Sequence, residues 1–202
     1  MNPPMIEIYG SPMSSAARCL WLLEEIGVPY KKTEINLRDP EARAKYTSEV
    51  FSGGKVPYFI DGDVRLFESM AINSYLVAKY KPELLPSDLH GRALVDQWSY
   101  WAISNLQPEA LKMMFHTVYL PEDQRNPKEV EAGRAGAARF LAQLEAELTG
   151  EYLVGGRFTL ADLNCASVVN LAPRAGLETG PRITAWLSRL QARPAFQKVF
   201  GG

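Results

Sequence analysis

The serines of Ser11-Pro-Met-Ser-Ser15 stand between a compact β-prone run, Met5 to Tyr9, and a helical pattern that begins at about Ser15. Ligands of open α/β sheets gather at such strand ends. The N–H groups of a first helical turn favour an anion there, by roughly 0.3–1 kcal/mol when exposed. A serine hydroxyl at that place can donate to a thiolate or a carboxylate. Ser14 and Ser15 suit a helix N-cap equally well, serine being among the preferred capping types. Farther on, Gly53-Gly-Lys-Val-Pro57 opens a strand with a proline, which removes a ladder donor. A cis Val56–Pro57 bond, the minor form of X–Pro bonds, would leave the N–H and C=O of Val56 to pair with an extended peptide. In Phe67-Glu-Ser-Met-Ala-Ile72, Glu68 and Ser69 end a strand and open a helix. That set suits a zwitterion, with Ser69 and the helix N–H groups for its carboxylate and Glu68 for its ammonium. Capping competes as the explanation of Ser69 too.

The elements that must position these residues follow from spacing. Ala16, Leu20, Leu23 and Gly27 keep helical periodicity until Gly27 and Pro29 stop it, and Tyr30 to Leu37 reads as a second strand. The first two strands then lie parallel, joined by a right-handed crossover. After a weaker helical stretch at Pro40 to Tyr46, Val56 to Ile60 gives a third strand, Asp61-Gly-Asp63 a hairpin turn, and Val64 to Phe67 the returning strand. Ser69 to Tyr80 places Ile72, Tyr75, Leu76 and Lys79 on one helical face. Lys81 to Leu89, with two prolines in nine residues, reads as a linker. Everything beyond is helical: His90 to Phe115 with a kink expected at Pro108, Glu129 to Leu148, and shorter helices at about Leu160–Asn170, Ile183–Gln191 and Pro194–Phe200. Thr159 and Asp162 form a capping pair, with Phe158 and Leu163 as a hydrophobic staple. The expected fold class is an α/β domain of order β-α-β then β-β-α over residues 1–80, a linker at 81–89, and an all-helical domain over 90–202.

Composition narrows the function classes. The chain has 202 residues, 47% of them hydrophobic, with 22 Lys and Arg against 23 Asp and Glu. That is enough apolar material for a core, and too little clustered positive charge for a nucleic-acid partner. Cys19 and Cys165 lie far apart, which leaves neither a disulfide framework nor a metal-ligand cluster. The start, Met1-Asn-Pro-Pro-Met-Ile-Glu-Ile8, has no export pattern, and no run nears the ~18 apolar residues of a membrane span. A cytoplasmic protein with no membrane partner is the expectation.

The order of these motifs, strand, serine loop, helix, then G-K-V-P, D-G-D and E-S-x-A-I, with Phe-Thr-Leu-Ala-Asp162 in the helical half, resembles the cytosolic glutathione transferase family. The resemblance spans almost the whole chain and implies a thioredoxin-like N-terminal domain followed by an all-helical one. It implies an enzyme that activates glutathione, its co-substrate, as a thiolate for attack on a hydrophobic electrophile or a peroxide. In serine-type members a serine just before the first helix donates to the sulfur, and Ser14 is the positional match, with Ser11 and Ser15 as rivals. By the same resemblance Val56 pairs its backbone with the cysteinyl part beside a cis Pro57. Glu68 and Ser69 hold the γ-glutamyl end, and Lys55, with Arg38 as a second candidate, reaches the glycyl carboxylate. Phe51-Ser-Gly replaces the family's usual Asn-Pro before G-K-V-P, so the loop that places Lys55 departs from the family pattern. Met13, Trp101, Met113, His116 and Tyr119 are candidates for the electrophile's wall, although Met and aromatic residues at helical spacing are more often core. No metal is implied. A homodimer is, with Phe51 as a candidate anchor ahead of the Gly53-Gly54 loop, where an aromatic can also pack on its own subunit. Two other functions fit the resemblance: a zeta-like glutathione-dependent cis-trans isomerase, and a non-catalytic glutathione- or partner-binding module.

Overall fold

The computed structural model describes residues 5–201, apart from the side chain of Arg174; residues 1–4, which belong to the stretch read above for export signals, lie outside it. The chain divides into two compact units. One runs to Pro82 and takes in the segment from Arg193 onward; the other is Glu83–Ala192.

In the first unit, β1 (Ile6–Tyr9), α1 (Ala16–Ile26) and β2 (Tyr30–Thr33) are followed by α2 (Pro40–Glu49), β3 (Tyr58–Asp61), β4 (Val64–Phe67) and α3 (Ser69–Tyr80). The sheet order is β2-β1-β3-β4, with β1 and β2 parallel and the other two pairings antiparallel. Two strands are shorter than their patterns suggest. The second ends at Thr33 rather than Leu37, where Asn36 begins a loop by accepting the Arg38 N–H. The third starts at Tyr58, past Pro57, which has no N–H for a ladder. Gly62, at φ +59°, takes the first central position of the two-residue β3–β4 turn, where glycine avoids the strain of a Cβ. Cys19, Leu20, Trp21, Leu22 and Leu23 of α1 are fully buried together with Ile8 and Phe59 of the sheet. Each such side chain contributes about 1.5–3 kcal/mol by leaving water.

The last helix corrects the expected boundary. The helical pattern places residues 193–202 in the helical domain, yet α10 (Pro194–Phe200) packs against α1 in the first unit. Phe196 and Phe200 meet the Trp21 indole edge-on at 5.1 and 6.1 Å, Arg193 forks onto Glu25 at 2.6 and 2.8 Å, and Lys198 reaches Glu24 at 2.6 Å. These partners lie about 170 residues apart in sequence, beyond the reach of any local pattern.

The second unit is helical. From Leu89 to Tyr119 the chain stays helical without a break: α4 (Leu89–Trp101), a π segment Ala102–Leu106, α5 (Gln107–Met114) and a second π segment Phe115–Tyr119. The kink expected at Pro108 is therefore absorbed one residue earlier, where the Gln107 N–H bonds the Ala102 carbonyl five residues back. Then come α6 (Pro127–Glu147), α7 (Leu160–Val169), α8 (Leu171–Arg174) and α9 (Pro181–Gln191). α5 and α6 approach closely at Gly133, where a Cβ would stand 2.8 Å from Met113 Cγ. Asp162 near the start of α7 is fully buried and accepts the Thr159 and Leu153 N–H groups at 2.9 Å, the Thr159 hydroxyl at 3.1 Å and the Trp186 Nε1–H at 3.0 Å. Within the linker, Pro82–Leu84 forms a 3₁₀ turn, and Arg157 donates to the carbonyls of Glu83 and Leu85. Among the described residues no helix is long and apolar enough to cross a membrane.

Candidate functional site

Tyr9, Tyr58 and Phe67 form one row across β1, β3 and β4. The chain leaves that row on the same side of the sheet at three points. It runs onward from Tyr9 into Gly10–Ser15, backward from Tyr58 into Pro57 and Val56, and onward from Phe67 into Glu68 and Ser69. The antiparallel pairings thus bring three separate motifs to one sheet end.

Gly10, at φ +141°, makes the approach possible. A Cβ there would lie 2.4 Å from Ala16 Cβ and 3.4 Å from both Ser14 Oγ and Val56 Cβ. Ser14 and Val56 are therefore neighbours. Ser14 Oγ donates to the Ser11 carbonyl at 2.9 Å and accepts the Ser11 and Ala16 N–H groups at 3.3 and 3.2 Å. Ser15 holds the N-cap position of α1 but makes no side-chain cap bond. Capping and chemistry thus meet on one atom, since it is Ser14 that takes up a first-turn N–H. Ser11 Oγ accepts the Met13 N–H at 3.3 Å within the same loop.

The Val56–Pro57 bond is cis. Among the described residues neither main-chain group of Val56 makes a hydrogen bond with the main chain. The Tyr46 hydroxyl, which burial and the Tyr58 and Tyr9 phenols push up to about 12, donates to the Lys55 carbonyl at 2.9 Å and ties this loop to α2. The Lys55 side chain is exposed. Arg38, also exposed, stands before α2 at a groove of ≈ 450 Å³ lined in part by Arg43, Thr47 and Ser48. Phe51, expected as a dimer anchor, folds back on its own unit, stacked on Tyr58 at 4.7 Å and on Phe67 at 5.3 Å.

Glu68 is the one described non-glycine residue with positive φ, at +68°, and its side chain is exposed. Such backbone costs about 1–3 kcal/mol and clusters at functional sites. Ser69 behind it is 7% exposed, and its Oγ accepts from Arg18 Nη1 at 3.0 Å. Arg18, itself 5% exposed, sits on the first turn of α1; burial pulls its guanidinium below the usual arginine value, countered in part by the Cys19 thiol. The Cys19 thiol, fully buried and pushed up to about 12 by that burial, contacts the Ser69 carbonyl at 3.5 Å. Arg18 and Tyr46 are the site's supports that motif reading missed. The signal for Arg18 is a cation at a helix start, where the dipole disfavours it; Tyr46, the lone buried residue of α2, has no such signal.

The family model for the glutathione S-transferase N-terminal domain matches residues 4–78, and that for the C-terminal domain matches residues 109–194. Glutathione S-transferase 4 of Zea mays is 34% identical over 208 residues, covering 98% of this chain and 93% of that protein. The chain belongs to the glutathione S-transferase family. Among solved structures, the theta class glutathione S-transferase of Xanthomonas axonopodis pv. citri with glutathione bound matches at 34% identity with a TM-score of 0.85, covering 97% of each chain. Glutathione S-transferase-I bound with lactoylglutathione matches at 33% identity with a TM-score of 0.82, covering 98% of this chain and 99% of that one.

The transferase's helical unit corrects part of the expected electrophile wall. Met113 is fully buried against Gly133. Trp101 is buried with its Nε1–H on Gln143 at 3.0 Å and its ring edge-on to Trp98 and Phe140. Both are core, as their helical spacing equally allowed. His116 and Tyr119 lie half-buried on the second π segment; His116 Nδ1 accepts the Asn126 N–H at 3.3 Å, and Tyr119 meets Phe115 edge-on at 5.5 Å. Met13 is exposed in the first unit's serine loop. Among the described residues no group of three or more His, Cys, Asp or Glu side chains could hold a metal ion.

Proposed function

We infer that this glutathione S-transferase holds glutathione along the sheet end where Ser14, Val56, Glu68 and Ser69 converge, and that Ser14 Oγ donates to the sulfur. The carrying observation is that shared edge, which brings a hydroxyl, the cis Val56–Pro57 bond and a carboxylate–hydroxyl pair into one line. An extended tripeptide fits it: sulfur at Ser14, cysteinyl backbone on Val56, γ-glutamyl end at Glu68 and Ser69. Lys55 meets the glycyl carboxylate, with Arg38 as a second cation for that end.

A free thiol ionises near ~8.5, and each unit of lowering requires about 1.4 kcal/mol of preference for the thiolate. Turning the Ser14 hydroxyl from the Ser11 carbonyl to the sulfur supplies one such bond, strengthened by the two N–H groups that Ser14 Oγ accepts. The start of α1, whose first turn has no acidic residue, adds its positive end. Together they bring one to two units of lowering within reach, which makes about a quarter of the sulfur thiolate at pH 7 with one unit and about three quarters with two. The thiolate then attacks an electrophilic carbon, forming a C–S bond as the leaving group departs with its electron pair. Peroxides are a second acceptor class. His116, Tyr119 and Met13 remain the candidates for contact with the hydrophobic electrophile.

Ser14→Ala should lower kcat with 1-chloro-2,4-dinitrobenzene at least tenfold while the glutathione Kd, by calorimetry, stays within threefold. Full activity in the variant would remove Ser14 from this role. The reading extends to a cytoplasmic homodimer, supported by the family and by Phe67, 55% exposed on the edge strand β4. Sedimentation as a 22.5 kDa monomer would end the dimer.

A further inference from the structure

We propose that Arg18 is a positioning residue that sets the Ser69 hydroxyl as an outward donor, so that Ser69 selects ligands bearing a carboxylate at the γ-glutamyl position. This rests on the reading of Glu68 and Ser69 as the γ-glutamyl anchor. A serine hydroxyl has one proton and two acceptor lone pairs, whereas a guanidinium only donates. Arg18 Nη1, 3.0 Å from Ser69 Oγ, occupies a lone pair and leaves the Ser69 proton for something else. Among the described residues Ser69 Oγ meets no acceptor for that proton, although Ser69 is 93% buried by its 7% exposure. A buried hydroxyl that is obliged to donate asks for an anion or a carbonyl.

The placement of Arg18 argues the same way. Helix stability gives no reason for a cation there, since a helix N-terminus carries about half a positive charge and prefers acidic residues. The surrounding face of α1 is apolar, Ala17, Cys19, Leu20 and Trp21 among it, and burying a charge there is expensive, so polar partners must hold the guanidinium, and Ser69 Oγ is one of them. α3 also starts at Ser69, so its first-turn N–H groups point at the same spot. The start of α3 and a buried guanidinium from α1 thus converge on one hydroxyl in a chain whose net charge is −1. The Asn73 side chain, one turn into α3, donates to the Arg18 carbonyl at 3.4 Å and holds the two helices in register. The exposed Glu68 alongside supplies the opposite charge that an α-amino group requires.

The test compares glutathione with γ-aminobutyryl-cysteinyl-glycine, which lacks only the γ-glutamyl carboxylate, by calorimetric Kd on the whole protein. The wild-type protein should bind glutathione at least tenfold more tightly. Arg18→Met should cut that ratio below threefold, raise KM for glutathione about tenfold and leave kcat at saturating glutathione within threefold; Arg18→Lys should restore part of the ratio. A ratio unchanged in Arg18→Met, or equal weakening of both ligands, would overturn the proposal, the latter marking a merely structural arginine. Ser69→Ala separates the two levels. If it leaves the ratio intact, the γ-glutamyl reading itself fails; if it collapses the ratio while Arg18→Met does not, only the role of Arg18 fails. Should Arg18→Met not fold, Arg18→Gln, neutral and too short to span the gap, takes its place with the same expected loss and the same overturning result.

Discussion

Two serines at two helix starts of one unit are wired in opposite senses. Ser14 lies in a loop that satisfies it from within: its proton goes to the Ser11 carbonyl, and its lone pairs take two N–H groups of the same short stretch. Ser69 is fixed from outside, by an arginine fifty-one residues away whose donated bond leaves the hydroxyl proton over. The first arrangement suits a group that must turn during a reaction, since the Ser11 carbonyl can be exchanged for a sulfur at small cost. The second suits a group that should never turn. Chemistry and anchoring thus read as two hydrogen-bond polarities on the same residue type.

The sharpest way to break this contrast is the ionisation of bound glutathione, followed by ultraviolet absorbance of the thiolate across pH. Ser14→Ala should return the sulfur's pKa at least one unit toward its solution value near ~8.5, while Ser69→Ala should leave it unmoved. Equal shifts in both variants would erase the distinction. Next in size is Gly10→Ala, which strikes the Ser14–Val56 corner and leaves the Arg18–Ser69 bond alone. A Cβ 2.4 Å from Ala16 Cβ on backbone at φ +141° forces the loop to shift, at about 2–3 kcal/mol of stability by chemical denaturation. Its kcat should fall several-fold more than its affinity for glutathione.

Most of the first unit was readable because its signals are local. Helical periodicity stops at Gly27 and Pro29, the Asp61-Gly-Asp63 turn joins two β-prone runs, and E-S opens a helix, so the parallel first pair of strands, the hairpin and the three motifs are legible in short windows, whereas the β1–β3 pairing that brings Ser14, Val56 and Glu68 to one sheet end joins distant residues. What escaped depends on distant partners. α10 looked like one more helix of the second domain because Trp21 and Glu25, which hold it, are far away in sequence. The roles of Arg18 and Tyr46 lie in single contacts to Ser69 Oγ and the Lys55 carbonyl, which no periodicity encodes. Trp101 and Met113 stand among the wall candidates beside the commoner reading as core, and spacing leaves the choice open because helix rotation is fixed by packing, of Met113 on Gly133 and of Trp101 on Gln143 and Phe140.

A smaller effect tests the support of α3, the helix that carries Ser69. Asp61 at the end of β3 is nearly buried and accepts Lys79 Nζ at 2.6 Å and the hydroxyls of Tyr80 and Tyr75 at 2.7 and 2.8 Å. Burial pulls this carboxyl upward, but Lys79 and the two phenols outweigh it and hold it below the usual carboxylate value. The folded chain therefore binds the Asp61 proton less readily than the unfolded one. Its contribution is complete above the unfolded value near ~3.9 and is lost as the pH falls through the lower folded value. Asp61→Asn should cost about 1–2 kcal/mol near neutrality, a deficit that shrinks as the pH drops below ~4. Ser14→Ala stability should show no such pH dependence, and a constant Asp61→Asn deficit down to acid unfolding would remove the carboxylate from this account.

The smallest effect falls on Glu68, where strain and binding can be pulled apart. At φ +68° any L side chain is strained, by about 1–3 kcal/mol, so glycine should relieve it. Glycine also gives the unfolded chain more freedom, which returns about 0.4–1 kcal/mol of that gain. Glu68→Gly should therefore raise Tm slightly while weakening glutathione several-fold, because the carboxylate proposed for the ammonium is gone. Glu68→Ala removes the same carboxylate and keeps the strained Cβ, so it should weaken glutathione equally with no gain in Tm. If the two variants have the same Tm, the backbone at Glu68 stores no strain. If they bind glutathione as tightly as the wild-type protein, Ser69 and the helix start hold the γ-glutamyl end alone, and the anchoring corner works by hydrogen-bond donation without charge pairing.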